Sequence, residues 1–132
     1  MSALYDPGRE GFLDGTIDWD TGDIRAMLVL STYTFVASHK FLVDLGAVDN
    51  GRSAALGTKT VVNGVAGAAN TSLVATAASA CKAIVLFQHT GADATARLIA
   101  YIDTATGLPF TPAAGQTVNI TWGVTADKIF RL

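Results

Sequence analysis

The 132-residue sequence has few of the side chains that perform chemistry, with one Cys, two His and three Pro. Its His, Cys, Asp and Glu residues are nowhere spaced as in a metal site or a catalytic triad. An enzyme must place a nucleophile, an acid–base pair or a metal ion in a pocket, so this scarcity argues against catalysis. We predict no catalytic residue, no cofactor and no metal ion, and we expect a structural or binding role.

Charged residues are also scarce, at 15% of the chain, against about 25% in ordinary soluble domains. The formal net charge of −2 offers no basic surface for the phosphates of a nucleic acid. Mean hydropathy is +0.38, so few charges remain to cover the surface of a lone molecule. We therefore expect another protein, or further copies of the chain, to cover part of the apolar surface.

No run of about 20 apolar residues is present, so the sequence predicts no membrane-spanning helix. The first six residues carry neither the basic nor the apolar part of a secretory signal. We therefore expect the chain to act in the cytoplasm where it is made, or to assemble there into a larger structure. The single cysteine, Cys81, starts an apolar run and is predicted to be a buried free thiol.

Three runs predict strands buried on both faces, because apolar residues occupy successive positions rather than alternate ones. They are residues 24–31, residues 81–88 and, after a turn at 89–93, residues 96–103. Residues 117–122 alternate, which predicts a strand with Val118, Ile120 and Trp122 pointing inwards. Residues 59–65 are rich in β-branched side chains and predict a further strand.

Helical segments are predicted to be few and short. Residues 7–14 suit a helix that begins with a proline and ends at Gly15. Residues 38–44 have apolar spacing that favours a helical turn or two. Residues 49–51, with the sequence Asp-Asn-Gly, predict a turn.

Residues 64–79 are mostly Ala, Gly, Thr and Ser, with a short strand indicated at Leu73 and Val74. Small residues of this kind suit either tight packing or an exposed arm. Short strands separated by Gly, Asp and Pro turns, without a long helix, predict an all-β fold. We expect residues 1–132 to form one β-sandwich or jelly-roll-like barrel, with one or two short helices and a partly helical N-terminal segment.

Two groups of residues could bind a small ligand, and each also has a structural interpretation. They are the carboxylates Asp14, Asp18, Asp20 and Asp23, and the indoles of Trp19 and Trp122. The carboxylates could form a weak calcium site, but Gly22 stands where a calcium loop needs its third ligand, which favours solvated turns. The indoles could stack on a sugar, but their scatter along the chain favours packing in a core or an interface.

Two parts of the chain resemble small virion proteins of tailed bacteriophages. One part is the start, with Tyr5, Gly8, Arg9, Glu10, Phe12, Leu13, Gly15, Ile17 and Trp19, followed by Ile24, Arg25 and Ala26. The other comprises residues 97–109, which read RLIAYIDTATGLP, and the ending KIFRL at residues 128–132. Together they cover about a third of the chain.

The resemblance implies a capsid cement, or decoration, protein, which is a small β-rich protein on the outside of the major capsid shell. Its implied partners are the major capsid protein and further copies of itself, as a dimer or trimer, with no nucleic acid and no membrane. Its implied location is the capsid surface of the virion, after assembly in the cytoplasm of the bacterial host. The N-terminal segment and the segment 64–76 are expected to contact partners through Tyr5, Arg9, Phe12, Trp19, Val65, Thr71 and Leu73.

Two alternatives to a decoration protein remain open. A tail or head–tail connector protein would also be a structural part of the particle, but would form a small ring on the tail axis. A carbohydrate-binding module would instead use Trp19 or Trp122 as a stacking platform.

Overall fold

The computed structural model describes residues 2–123 and 128–132. The elements are β1 (Ser2–Leu4), α1 (Asp6–Asp14), β2 (Ile24–Leu30), a 3₁₀ helix (Leu42–Leu45), β3 (Asp49–Arg52), β4 (Thr60–Val62), β5 (Val65–Gly67), β6 (Thr71–Val74), β7 (Cys81–Gln88), β8 (Arg97–Ile102), β9 (Thr117–Ile120) and β10 (Phe130–Arg131). The predicted mainly-β fold with a short helix is confirmed. No helix in the described ranges is both long and apolar enough to cross a membrane.

A five-stranded antiparallel sheet in the order β1-β8-β7-β2-β3 forms the centre of the fold. Along β2, Ile24, Ala26 and Leu28 belong to one buried cluster. Met27 and Val29, at the intervening positions, belong to a second cluster. The predicted burial on both faces is confirmed, because successive side chains of a strand point to opposite sides of the sheet.

Different layers cover the two faces of this sheet. On one face lie two small sheets, β10-β5-β4 and β6-β9, which add Ala66, Leu73 and Ile120 to the core. On the other face lies the segment 31–48, which contributes Tyr33 and Leu45. The result is a sandwich-like arrangement with a hydrophobic core on each side of the central strands.

Helix α1 packs directly on β8. It begins after Tyr5 and ends at Gly15, whose φ of +80° takes the backbone out of the helix. Gly8 lies so close to β8 that a Cβ there would be 2.8 Å from a carbonyl oxygen of that strand. Arg97 of β8 ties the two elements together by donating from Nη2 to the carbonyl oxygen of Pro7 at 2.8 Å. The predicted helix at 7–14 is confirmed, with a start one residue earlier.

The turn predicted at residues 49–51 is wrong, because these residues lie in edge strand β3. The carboxylate of Asp49 accepts a hydrogen bond from the backbone N–H of Gly51 at 2.8 Å. This local bond accompanies a shift in the register between β2 and β3. The Asp-Asn-Gly signal therefore marks a β-bulge rather than a reversal of the chain.

Two further segments differ from their predictions. Residues 59–65 form a hairpin of β4 and β5 instead of one strand, because Asn63 and Gly64 adopt positive φ angles of 52° and 77°. The helical turn predicted over residues 38–44 is observed only at the end of that range, where the 3₁₀ helix covers Leu42–Leu45, and residues 38–41 are not helical. There the Asp44 carboxylate accepts hydrogen bonds from two preceding backbone N–H groups at 2.9 Å, which closes a tight turn.

Candidate functional site

Three of the residues predicted to contact partners line a single groove. Phe12, Trp19 and Val65 surround a cavity of about 310 Å³. It lies between the C-terminal end of α1, the loop that follows it, and the sheet of β4, β5 and β10. We call this cavity the helix-end groove, and it is the candidate functional site.

Aromatic rings form the floor of the helix-end groove. The ring of Phe130 lies 5.8 Å from that of Phe12 and 5.2 Å, edge-on, from that of Trp19, measured between centroids. Trp19 is buried, and its Nε1 donates to the carbonyl oxygen of Gly67 at 3.2 Å. Val61 of β4 also lines the groove and is 60% exposed. The groove therefore combines a fixed aromatic floor with an open apolar wall.

Exposed apolar side chains lie both in the groove and next to it. Leu132, which lines the groove, is 62% exposed, and Leu13, which follows Phe12 in α1 and is not part of the lining, is 90% exposed. The outer edge of β4 has no strand partner in the described residues. Apolar surface beside an open strand edge is typical of a site for protein contact.

Among residues 2–123 and 128–132, the charged side chains that line the helix-end groove are acidic. Asp18 and Asp20 both lie at its rim. The carboxylate of Asp18 accepts hydrogen bonds from the backbone N–H and the hydroxyl of Thr21, which lower its pKa. Asp14 is held in the same way by Thr16, and its pKa is also lowered. These contacts favour the turn interpretation of the aspartates, and the described residues contain no cluster able to hold a metal ion.

The other four predicted contact residues lie away from the groove. Tyr5 is fully buried with its hydroxyl 3.1 Å from that of Tyr33, and burial raises its pKa far above the ordinary value. Arg9 is exposed and forms an ion pair with a carboxylate of its own helix at 3.0 Å. Thr71 and Leu73 lie in β6, where Leu73 is buried. Contact with partners through this set stays a prediction, and Tyr5 and Leu73 present almost no side-chain surface in this structure.

A larger cleft of about 820 Å³ separates the central sheet from β9. Its apolar lining includes Leu28, Ile84, Ile102, Val118, Ile120 and Trp122. Gly123 and Lys128 also line the cleft, and the residues between them lie outside the described part of the chain. Trp122 is 9% exposed and donates from Nε1 to the carbonyl oxygen of Ala69 at 2.9 Å. Neither indole offers the open face and unpaired N–H that stacking on a sugar would use.

Cys81 is a buried free thiol, as predicted. Burial raises its pKa, so the thiolate form is disfavoured. Asn50 of β3 lies beside it, with Nδ2 donating to Sγ at 3.1 Å. The same side chain makes hydrogen bonds to both backbone groups of Ala77, which fasten the loop before β7.

Several groove residues were not predicted from the sequence. Val61 and Leu132 look like ordinary strand residues until β4, β5 and β10 are known to form a sheet of their own. The one available signal was the Asn63-Gly64 pair inside a predicted strand, since this pair commonly makes a two-residue hairpin turn.

Comparisons with known proteins find no matching family model, no similar curated protein and no similar solved structure. A proposal for the function of this chain therefore depends on its own motifs and surface.

Proposed function

We propose that the chain is a structural protein of a tailed-bacteriophage particle that binds the outside of the capsid shell and strengthens it. The motifs near both ends of the chain support this proposal through their resemblance to phage virion proteins. The observation that carries it is the helix-end groove, where Phe12, Val61 and Leu132 leave apolar surface open beside an edge of β4 that no described strand pairs with. Covering such a surface is worth about 25 cal/mol per Å², which favours a bound partner.

The proposed mechanism depends on the number of copies rather than on the affinity of one copy. A groove of about 310 Å³ holds only a few side chains, so a single contact would be weak. On an assembled shell, many identical sites act together, and a copy that touches two neighbouring subunits links them. A protein that binds the assembled shell better than the free subunit stabilises the shell by mass action.

The copy number of the chain in purified particles tests this proposal. Quantitative mass spectrometry of particles from a phage that encodes the chain should find hundreds of copies, distributed over the shell. About six or twelve copies would identify a tail or connector ring instead, because such rings have low cyclic symmetry. Complete absence of the chain from the particles would refute a structural role in the virion.

A matched pair of variants tests whether the helix-end groove is the contact surface. Val61 in the groove and Val43 in the 3₁₀ helix are 60% and 56% exposed, respectively, so replacing either by serine should change stability by only about 0.5 kcal/mol. We expect Val61→Ser to lower occupancy on particles at least tenfold, and Val43→Ser to leave it unchanged. Equal occupancies would remove the groove from the proposal.

A further inference from the structure

We propose that the helix-end groove binds an extended segment of another protein in which an arginine or lysine stands next to a large apolar residue. The inference rests on the proposed function, since it specifies the chemistry that a capsid surface would present to this groove. It follows from two properties of the groove, an aromatic floor and a rim with charge of one sign.

The size and lining of the groove suit an apolar side chain together with the aliphatic part of a basic one. The volume of about 310 Å³ is about twice that of an apolar cavity known to hold benzene. Phe12 and Phe130 present rings beside the carboxylates of the rim. Basic side chains pack their methylene groups on apolar surface and place their charge over aromatic faces, so such a floor accepts them.

The negative charge at the rim favours a partner that brings a positively charged side chain. Asp18 and Asp20 are the charged residues in the described lining, and no basic residue is among them. The carboxylate of Asp20 makes no hydrogen bond or ion pair within residues 2–123 and 128–132. The basic residue whose charge contributes to lowering the pKa of Asp18 is Lys59. Lys59 is not part of the described groove lining, and its Nζ donates to the carbonyl oxygen of Gly22 at 2.7 Å.

A second copy of the chain is a poor occupant for the same reason. In a two-fold contact through this groove, Asp18 and Asp20 of one copy would face the same carboxylates of the other. Like charges brought together across an interface disfavour association. The basic residues Arg9 and Arg131 line a separate cavity, and neither is in the described lining of the groove, so that lining supplies no cation to this contact. The rim therefore selects a different, basic partner.

Binding of short peptides, followed by NMR of the full chain, tests this inference. The chain contains two tryptophans, and the Nε1–H of Trp19 reports on the groove. Trp122 lines the larger cleft instead, so its indole signal is an internal control. The basic probe is acetyl-Gly-Arg-Leu-Arg-Gly-amide, and the neutral control has both arginines replaced by glutamine. At low salt the basic peptide should shift the Trp19 signal. It should also bind at least about threefold more tightly than the neutral peptide, as expected for exposed charge pairs.

Two single-charge variants complete the experiment. Asp20→Asn should remove most of the preference for the basic peptide, whereas Glu10→Gln, which removes a charge on α1 outside the groove lining, should retain it. The inference is overturned by equal affinities for the two peptides, by equal effects of the two variants, or by no Trp19 shift up to about 5 mM peptide. Absence of the chain from phage particles would refute the proposed function but leave the peptide preference intact, so the two failures are distinguishable.

Discussion

Replacing Gly8 by alanine should destabilise the protein, although the same change stabilises most helices. Inside a helix, alanine is favoured over glycine by about 1 kcal/mol. At Gly8 a Cβ would lie 2.8 Å from the carbonyl oxygen of Leu98 and 2.9 Å from that of Ile99. Both atoms belong to the backbone of β8 and cannot rotate away, so we take the upper end of the overpacking cost, about 3 kcal/mol. The expected net loss is about 2 kcal/mol, or a fall in Tm of roughly 6 °C for a domain of this size.

Urea denaturation of the variant and a matched control measures this effect. A Cβ on Gly57 would meet no neighbour within 4 Å, and the φ of this residue is not positive, so Gly57→Ala should be neutral or stabilising by up to about 1 kcal/mol. The two substitutions should change the free energy of unfolding in opposite directions. This difference distinguishes the effect of close packing of α1 from a general effect of replacing a glycine. A Gly8→Ala variant as stable as the parent would refute direct seating of α1 on the β8 backbone. It would also remove the reason why Phe12 is fixed at the groove.

Three further predictions concern stability and reactivity. Asn50→Ala should cost about 2 kcal/mol in urea denaturation, because both backbone groups of Ala77 lose their side-chain partner, and a loss below about 0.5 kcal/mol would contradict this account. Arg52 donates to both carboxylate oxygens of Asp93 at 2.9 Å and lowers its pKa, so Arg52→Met should cost about 1 kcal/mol at neutral pH for this partly exposed pair. Because the pKa of Asp93 is lowered in the folded protein, the pair contributes its full stability at pH values above the ordinary carboxyl pKa of 3.8, and this contribution is lost as the pH falls through the lowered value. The difference in unfolding free energy between the parent and Arg52→Met should therefore shrink in acid. A difference that grows in acid would contradict this account. The Cys81 thiol should react with a disulfide reagent roughly a hundredfold more slowly in the native protein than in urea, and similar rates would show that it is accessible.

The central strands could be predicted from the sequence because their burial leaves an unambiguous pattern. Strand β7 has apolar side chains at Ile84, Val85, Leu86 and Phe87, and all four are buried. Such a run is stable only where both faces of a sheet are covered. The predicted range for this strand, 81–88, is therefore the observed one.

The helix-end groove could be predicted only in part, because it depends on contacts that are distant in the sequence. Arg131 pairs with Val65, and Phe130 pairs with Ala66, across more than sixty positions that local patterns do not relate. Phe12 and Trp19 stood out through motifs near the start of the chain. The exposure of Val61 gave no signal, since a valine that faces solvent and one that faces a core are identical in sequence.

The groove is formed in part by some of the shortest strands of the fold, which have few pairing contacts to hold them in place. Strands β4 and β5 have three residues each and β10 has two, whereas the central sheet is held by a core on each face. Short strands with exposed edges open at a lower free-energy cost than central ones. A partner that binds only the closed form of this small sheet would raise its stability in proportion to the logarithm of the partner's local concentration. On a surface that repeats the same binding segment many times, that concentration is high. The small sheet, which opens easily in the free chain, would then be stabilised where it binds the assembly.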